Sequence, residues 1–201
     1  FGNQTLRFLI NRPHEIMQVK ARSTVEVQER EFDNQLMQTP WETALCESIY
    51  TVEPLSVAEM RLPSTHVECL TETRQYATQF LSPGRHWLDA LLDLTVHIRQ
   101  DFVYDPEATT VSTPVAEVFK NRRGVCQDFA HLMLSCLRSL NLPARYVSGY
   151  ILNEPPPGVE KMLGADASHA WVESYLPGAG WIGFDPTNGK LVNGEFITLA
   201  W

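Results

Sequence analysis

Two features of the sequence predict an α+β domain: helical apolar spacing runs from about residue 65 to 140, and strand-like alternation takes over from 144 to 184. A third feature, alternation before residue 30, places β-strands of a partial N-terminal domain ahead of that core.

From 17 to 27 the odd positions read Met17, Val19, Ala21, Ser23, Val25 and Val27, while the even ones read Gln18, Lys20, Arg22, Thr24 and Glu26. That is a strand with one wet face. Leu6, Phe8 and Ile10 alternate likewise and Asn11-Arg12-Pro13 supplies a turn, so an antiparallel hairpin is expected. Two strands alone are marginally stable. Because the chain also opens on Phe1 rather than Met, it reads as a piece of a longer protein whose missing part holds the partner strands.

Thr39-Pro40-Trp41-Glu42 combines an N-cap, a first-turn Pro and a capping-box Glu, which predicts a short helix to about Ser48. Residues 51–63, with Pro54 and Pro63, form the linker, so the division expected is 1–62 for the end of the β domain and 63–201 for the core. A second capping box, Thr65-His66-Val67-Glu68, opens a helix to about Leu81. Ser82-Pro83 caps a third, in which Trp87, Leu88, Leu91, Leu92, Thr95 and Ile98 recur at helical spacing. After a loop over 105–113, Pro114 starts a short helix ending near Gly124. From Cys126 to Leu140, Phe129, Leu132, Met133, Cys136, Leu137 and Leu140 share one stripe, a helix with a buried face that Asn141 and Pro143 stop. Strands follow over 144–152, 168–176 and 180–184, with a Pro-rich loop at 153–166 whose 153–165 stretch is expected at the lip of a cleft.

At 201 residues, 44% hydrophobic and 20% charged, the composition is that of an ordinary globular protein. No apolar run has the length of a membrane span, and Phe1-Gly2-Asn3-Gln4 lacks the regions of a signal peptide. The expectation is a soluble, non-secreted, cytoplasmic chain. A net charge of -8 argues against nucleic-acid and anionic-membrane partners and leaves a small-molecule or protein substrate. Cys46, Cys69, Cys126 and Cys136 form no C-x-x-C pair and no dense disulfide pattern, so separate thiols are expected.

Among these thiols Cys126 stands apart. It follows Gly124-Val125 and opens a helix, so its sulfur sits near unpaired backbone N–H groups and the positive end of the helix dipole, a setting that favours thiolate and offers an oxyanion donor. Cys136 is mid-stripe and fills the core, whereas Cys46 and Cys69 have no distinguishing context. A thiolate enzyme needs a base and a group to orient it. His169 begins one strand and Asp185 ends the next; if Leu176-Pro177-Gly178-Ala179-Gly180 closes a hairpin between them, the two side chains meet at one end. His14, His66, His86, His97 and His131 lie in a turn, a cap or helix faces and receive no catalytic role, and Asp128 is explained as a helix-dipole partner. Trp171 and Trp181 are expected to pack around His169 and Asp185.

The string Gly124-Val125-Cys126-Gln127-Asp128-Phe129-Ala130-His131, followed by Leu142-Pro143-Ala144-Arg145-Tyr146-Val147-Ser148-Gly149-Tyr150, resembles the nucleophile region of bacterial transglutaminase-like proteins. Ala167-Ser168-His169-Ala170-Trp171-Val172-Glu173 and Gly180-Trp181-Ile182-Gly183-Phe184-Asp185-Pro186-Thr187-Asn188-Gly189 resemble the family's histidine and aspartate blocks, in order and spacing. The resemblance covers roughly 64 to 201 and implies a papain-like core in which the Cys helix packs on a small antiparallel sheet carrying the His and Asp. It also implies that the early strands end an N-terminal β domain. Cys126, His169 and Asp185 are then the catalytic triad. Tyr104, in a loop upstream of the nucleophile, and Gln127, adjacent to it, are candidates for the second oxyanion donor or the substrate cleft. No cofactor and no metal is expected, since no Asp/Asn-rich loop of calcium-ligand density occurs.

The expected activity is cysteine-dependent acyl transfer on a protein or peptide amide through a thioester, with hydrolysis first, protein-glutamine transamidation as the alternative, and a non-catalytic binding module as the alternative of another class.

Overall fold

In the computed structural model, residues 3, 5, 7–28, 38–46, 55–155, 157–158, 160–165 and 167–201 are described. Their elements run α1 (Thr43–Cys46), α2 (Leu55–Glu59), α3 (Thr71–Ala77), α4 (Trp87–Asp101), β1 (Val103–Tyr104), α5 (Val115–Asn121), β2 (Arg123–Gly124), α6 (Cys126–Ser139), β3 (Ala144–Ile151), β4 (His169–Leu176), β5 (Gly180–Asp185), β6 (Lys190–Leu191) and β7 (Phe196–Ala200).

Helix α6 forms because its apolar residues repeat on one stripe and its ends carry the charges the dipole favours, Asp128 in the first turn and Arg138 in the last. Asn141 takes the left-handed conformation (φ 64°), and the amides of Asn141 and Leu142 close on the carbonyls of Arg138 and Leu137. Pro143 then forces an extended exit. The chain returns as an antiparallel sheet in the order β6-β5-β4-β3-β7, and α6 lies across β3 and β4. Between them Phe129, Leu132, Met133, Cys136 and Leu137 meet Ala144, Ala170 and Val172, all essentially inaccessible to water. Each large apolar side chain so buried contributes about 1.5–3 kcal/mol relative to exposure. Helix α4 adds Trp87, Leu91, Leu94 and Ile98 to the same core.

Several helix starts depart from the local signals. The Thr65 capping box is not used: Ser64 and Val67 exchange backbone hydrogen bonds of 2.9 and 3.0 Å, burying Val67, and α3 begins only at Thr71. At the first helix, Thr39 O accepts from Trp87 N (2.8 Å), Trp41 N donates to Arg85 O (3.0 Å), and Glu42 Oε1 accepts from Gly84 N (2.8 Å). Pairing with the distant 84–87 turn replaces the cap, so α1 starts at Thr43 and α4 at Trp87 rather than at Pro83. The predicted extension to Ser48 runs into residues outside the described ones, and part of the linker, Leu55–Glu59, is helical.

The predicted N-terminal hairpin is not formed among the described residues, since 7–28 carry no strand. Phe8, Leu9, Ile10, Met17, Val19, Val25 and Val27 are exposed. Alternation shows that a segment can bury one face, but a strand also needs a ladder partner and a surface to cover. The edge strands β6 and β7 and the two-residue parallel pair β1–β2 have no such pattern to announce them. No helix among the described residues is long and apolar enough to cross a membrane.

Arg138, only 9% exposed, pins the end of α6 to its surroundings: Nε and Nη2 donate to Ala144 O (3.1 and 2.9 Å), and Nη1 to Leu62 O (3.2 Å) and Ser64 Oγ (3.3 Å). Arg138→Ala strands these acceptors and is expected to cost about 3 kcal/mol of unfolding free energy, read as a lowered urea midpoint.

Candidate active site

Cys126 is the first residue of α6 and is partly exposed, with Val125 as the N-cap. The first-turn amides have no carbonyl within the helix to bond, so they point out around the sulfur. Asp128 secures this start: its Oδ2 accepts from Val125 N (2.8 Å) and from Thr109 Oγ1 (2.5 Å), tying the 105–113 loop to the helix. The β1–β2 pair sets Tyr104 against Gly124, two residues before the nucleophile candidate. Tyr104 is thereby brought beside the thiol, and its phenol is raised by burial first and then by the charge of Cys126.

The hairpin predicted from the sequence is present. Strands β4 and β5 are antiparallel, in register from Val172↔Phe184 to Leu176↔Gly180, so the first residue of β4 and the last of β5 share one end. There His169 Nε2 donates to Asp185 Oδ2 at 2.9 Å, both side chains completely buried. Asp185 Oδ1 accepts from the backbone amides of Thr187 (2.9 Å) and Asn188 (3.3 Å), and Oδ2 accepts a second bond from Asn188 Nδ2 (2.7 Å). On the imidazole, burial is the largest single influence and pulls its pKa down, but hydrogen bonding to Asp185 and Cys126 and the charges of both together lift it to about 9. Nδ1 is buried and closes no hydrogen bond of ordinary length among the described residues, so Cys126 acts on the ring through a longer, weaker contact. Thus Cys126, His169 and Asp185, far apart in sequence, meet at one locus.

Around it, Trp171 stacks on His169 with ring centroids 6.3 Å apart, and Phe196, edge-on to Trp171 at 5.4 Å, lies 6.4 Å from the same imidazole. Trp181 does not join them: at the opposite end of β5 it packs on Tyr175 (5.2 Å) and under Arg145 (4.4 Å). The strand's length carries the two tryptophans apart. Gln127 Nε2 is engaged by Val111 O (3.1 Å) and faces a groove of about 530 Å³ rather than the thiol. His131 lines the same groove, stacked on His66 at 5.9 Å, and burial, His66 and Arg138 drive its pKa down to about 4. Of the other described thiols, Cys136 is buried, which pushes it far up, and Cys69 is exposed.

Two neighbours escaped the sequence reading. Tyr146 of β3 lines the groove, and its phenol is pushed up to about 12 by burial and then by the charges of Cys126 and Asp128. Asn188 binds Asp185 directly. Both lie inside the quoted sequence blocks, but only packing gives them a role.

Residues 74–186 match the profile of the transglutaminase-like superfamily, more than half of the chain. The chain belongs to that superfamily. An uncharacterized protein of Mycobacterium tuberculosis is 37% identical over 208 residues, covering 100% of this chain and 65% of the relative. A protein-glutamine gamma-glutamyltransferase of Pseudomonas aeruginosa is 34% identical over 102 residues, 47% of this chain and 15% of that protein. This transglutaminase-like chain therefore spans just under two thirds of the length of the Mycobacterium tuberculosis relative. Among solved structures, the Cytophaga hutchinsonii protein named "putative cysteine protease" superposes with a TM-score of 0.60 at 28% identity, over 74% of this chain and 47% of that one. The periplasmic domain of TgpA from Pseudomonas aeruginosa superposes at 0.52 and 26% identity, over 69% of this chain and 51% of that one. The transglutaminase-like, papain-like arrangement of helices and antiparallel sheet is the one the sequence predicts.

His169 in this transglutaminase-like fold titrates above its ordinary value of about 6.5, so its protonated form stabilises the folded state. That contribution is complete below about pH 6.5 and fades as pH rises through about 9. Urea unfolding across this window is expected to show stability falling with pH in the native chain, and a flatter dependence in Asp185→Asn, which removes the partner charge.

Proposed function

We propose that the chain is a cysteine-dependent acyl-transfer enzyme acting on amide or peptide bonds, with hydrolysis as its reaction. One observation carries this reading: the buried Asp185–His169 bond at the hairpin end, with Cys126 at a helix start acting on the same imidazole. Cys126 thiolate attacks the carbonyl carbon, and the developing oxyanion takes a hydrogen bond from the first-turn amides of α6. Tyr104, beside the thiol, is the candidate for the second donor, whereas the amide nitrogen of Gln127 is held by Val111 and serves the groove wall. The His169 imidazolium then gives its proton to the departing amine, and the carbon–nitrogen bond breaks, leaving a thioester on Cys126. Water, deprotonated by His169, attacks the thioester and restores the thiol. Asp185 stays ionised hydrogen-bond acceptor throughout and orients the ring.

The groove of about 530 Å³ along α6, which begins at Gln127, the residue after the nucleophile, is the proposed seat of a protein or peptide amide chain. Transamidation replaces the second-step water by a primary amine, and it draws support from the similarity to the Pseudomonas aeruginosa gamma-glutamyltransferase.

The test is incubation with a glutamine-containing protein and a labelled primary amine. Ammonia release or peptide cleavage without incorporated label is expected, lost in Cys126→Ala and lowered by about a thousandfold or more in His169→Ala. Label incorporation would transfer the assignment to transamidation. Slow alkylation of Cys126, no faster than that of Cys69 and unaffected by His169→Ala, would leave only a binding module.

A further inference from the structure

Asn188 stands where two parts of the site meet. Its carboxamide makes three contacts: Nδ2 donates to Asp185 Oδ2 (2.7 Å) and to Leu163 O (3.3 Å), and Oδ1 accepts from Leu163 N (2.8 Å). Because the partners are a carboxylate, a carbonyl and an amide N–H, they leave one orientation of the side-chain amide. The pairing with the Leu163 peptide anchors a strap, 160–165, that joins no strand.

The next residue of that strap, Gly164, lies against the imidazole. Its φ of +82° suits glycine, and a Cβ there would stand 2.7 Å from His169 Nδ1. The ring is thus bounded by Asp185 at Nε2 and by the Gly164 backbone near Nδ1, and a single side chain is bonded to both walls. Neither the aspartate's two backbone donors nor the aromatic neighbours Trp171 and Phe196 make that connection.

We propose that Asn188 is the positioning residue of the Cys126–His169–Asp185 site: its carboxamide couples Asp185 to the Leu163–Gly164 strap and so holds the His169 ring from both sides. The proposal rests on the acyl-transfer reading above and adds to it a fourth side chain that touches neither substrate nor the reacting atoms. The titratable groups acting on the imidazole are Asp185 from β5 and Cys126 from α6. Beyond Phe196, Lys190 and Glu195 form an ion pair of 2.6 Å, so that side brings no unbalanced charge. Removing the Nδ2 donor concentrates the Asp185 charge on His169, which favours imidazolium; a carboxyl at 188 shares one proton with Asp185, because two carboxylates so close do not both ionise, and adds no full second charge.

The experiment follows iodoacetamide alkylation of Cys126, peptide by peptide, from about pH 5 to about pH 10, in the native chain, Asn188→Asp, Asn188→Ala and Gly164→Ala. In the native chain a His169-dependent inflection marks loss of the imidazolium. Asn188→Ala is expected to move it up by about half a pH unit, and Asn188→Asp, whose shared proton keeps a donor on Asp185, by less. Gly164→Ala leaves Asp185 untouched, so it is expected to lower the neutral-pH rate by about tenfold by displacing the ring. Thermal unfolding of each variant separates folding loss from positioning, and Gly164→Ala probes the strap independently if an Asn188 variant does not fold. A folded Asn188→Ala with an inflection unchanged from the native chain, or Gly164→Ala with an unchanged rate, overturns the positioning role and leaves the acyl-transfer reading standing. A native chain with no His169-dependent inflection overturns both.

Discussion

Helix α6 lies flat against β3 and β4, and the placement of every reactive group follows from that contact. The stripe Phe129, Leu132, Met133, Cys136 and Leu137 is buried against Ala144, Ala170 and Val172, so the helix can neither rotate nor slide without exposing large apolar surface. Its first residue therefore has a fixed address at one end of the sheet. The hairpin β4–β5 delivers His169 and Asp185 to that same end because antiparallel neighbours bring the start of one strand beside the finish of the next. Arg138 holds the far end of the helix, through Ala144, to the first residue of β3.

At the site the balance is between desolvation and polar satisfaction. His169 and Asp185 are both withdrawn from water, which opposes charge on the imidazole, yet Asp185 accepts four hydrogen bonds, from His169, Thr187 and, twice, Asn188. The outcome is an imidazole that keeps its proton well above the usual histidine range. Such an imidazolium beside a thiol is suited to donating a proton to a leaving amine. His131, partly buried and facing a second imidazole and a guanidinium, is driven the opposite way, so of two histidines on neighbouring elements one is charged and the other neutral at neutral pH. Environment rather than residue type separates them.

The elements legible in the sequence are those whose signal is local and repeated. The stripe of α6, the Asn141-Leu142-Pro143 stop and the alternation of β3 and β4 each state a period and an end, and the structure keeps them within a residue or two. The capping signals at Thr39 and Thr65 are also local, but they are worth only about 1 kcal/mol each. Pairing with the 84–87 turn and burial of Val67 outweigh them. The alternation of 17–27 describes a face without naming what would cover it, and those residues are exposed here. Trp181, expected to pack around His169 and Asp185, stands instead at the far end of a strand that runs away from the site.

By itself the sequence determined the three-block order of Cys126, His169 and Asp185, the helix that opens on the cysteine and the hairpin that joins the other two. The helix and the hairpin follow from periodicity and turn chemistry acting over a few residues, the block order from the resemblance to the transglutaminase-like family. Only the tertiary structure decided which side chains surround them: Tyr104 through a two-residue parallel pair, Tyr146 through the packing of α6 on β3, and Asn188 and Gly164 through a strap closing over the histidine. Those contacts join segments distant along the chain, and their formation depends on burial of the core between them.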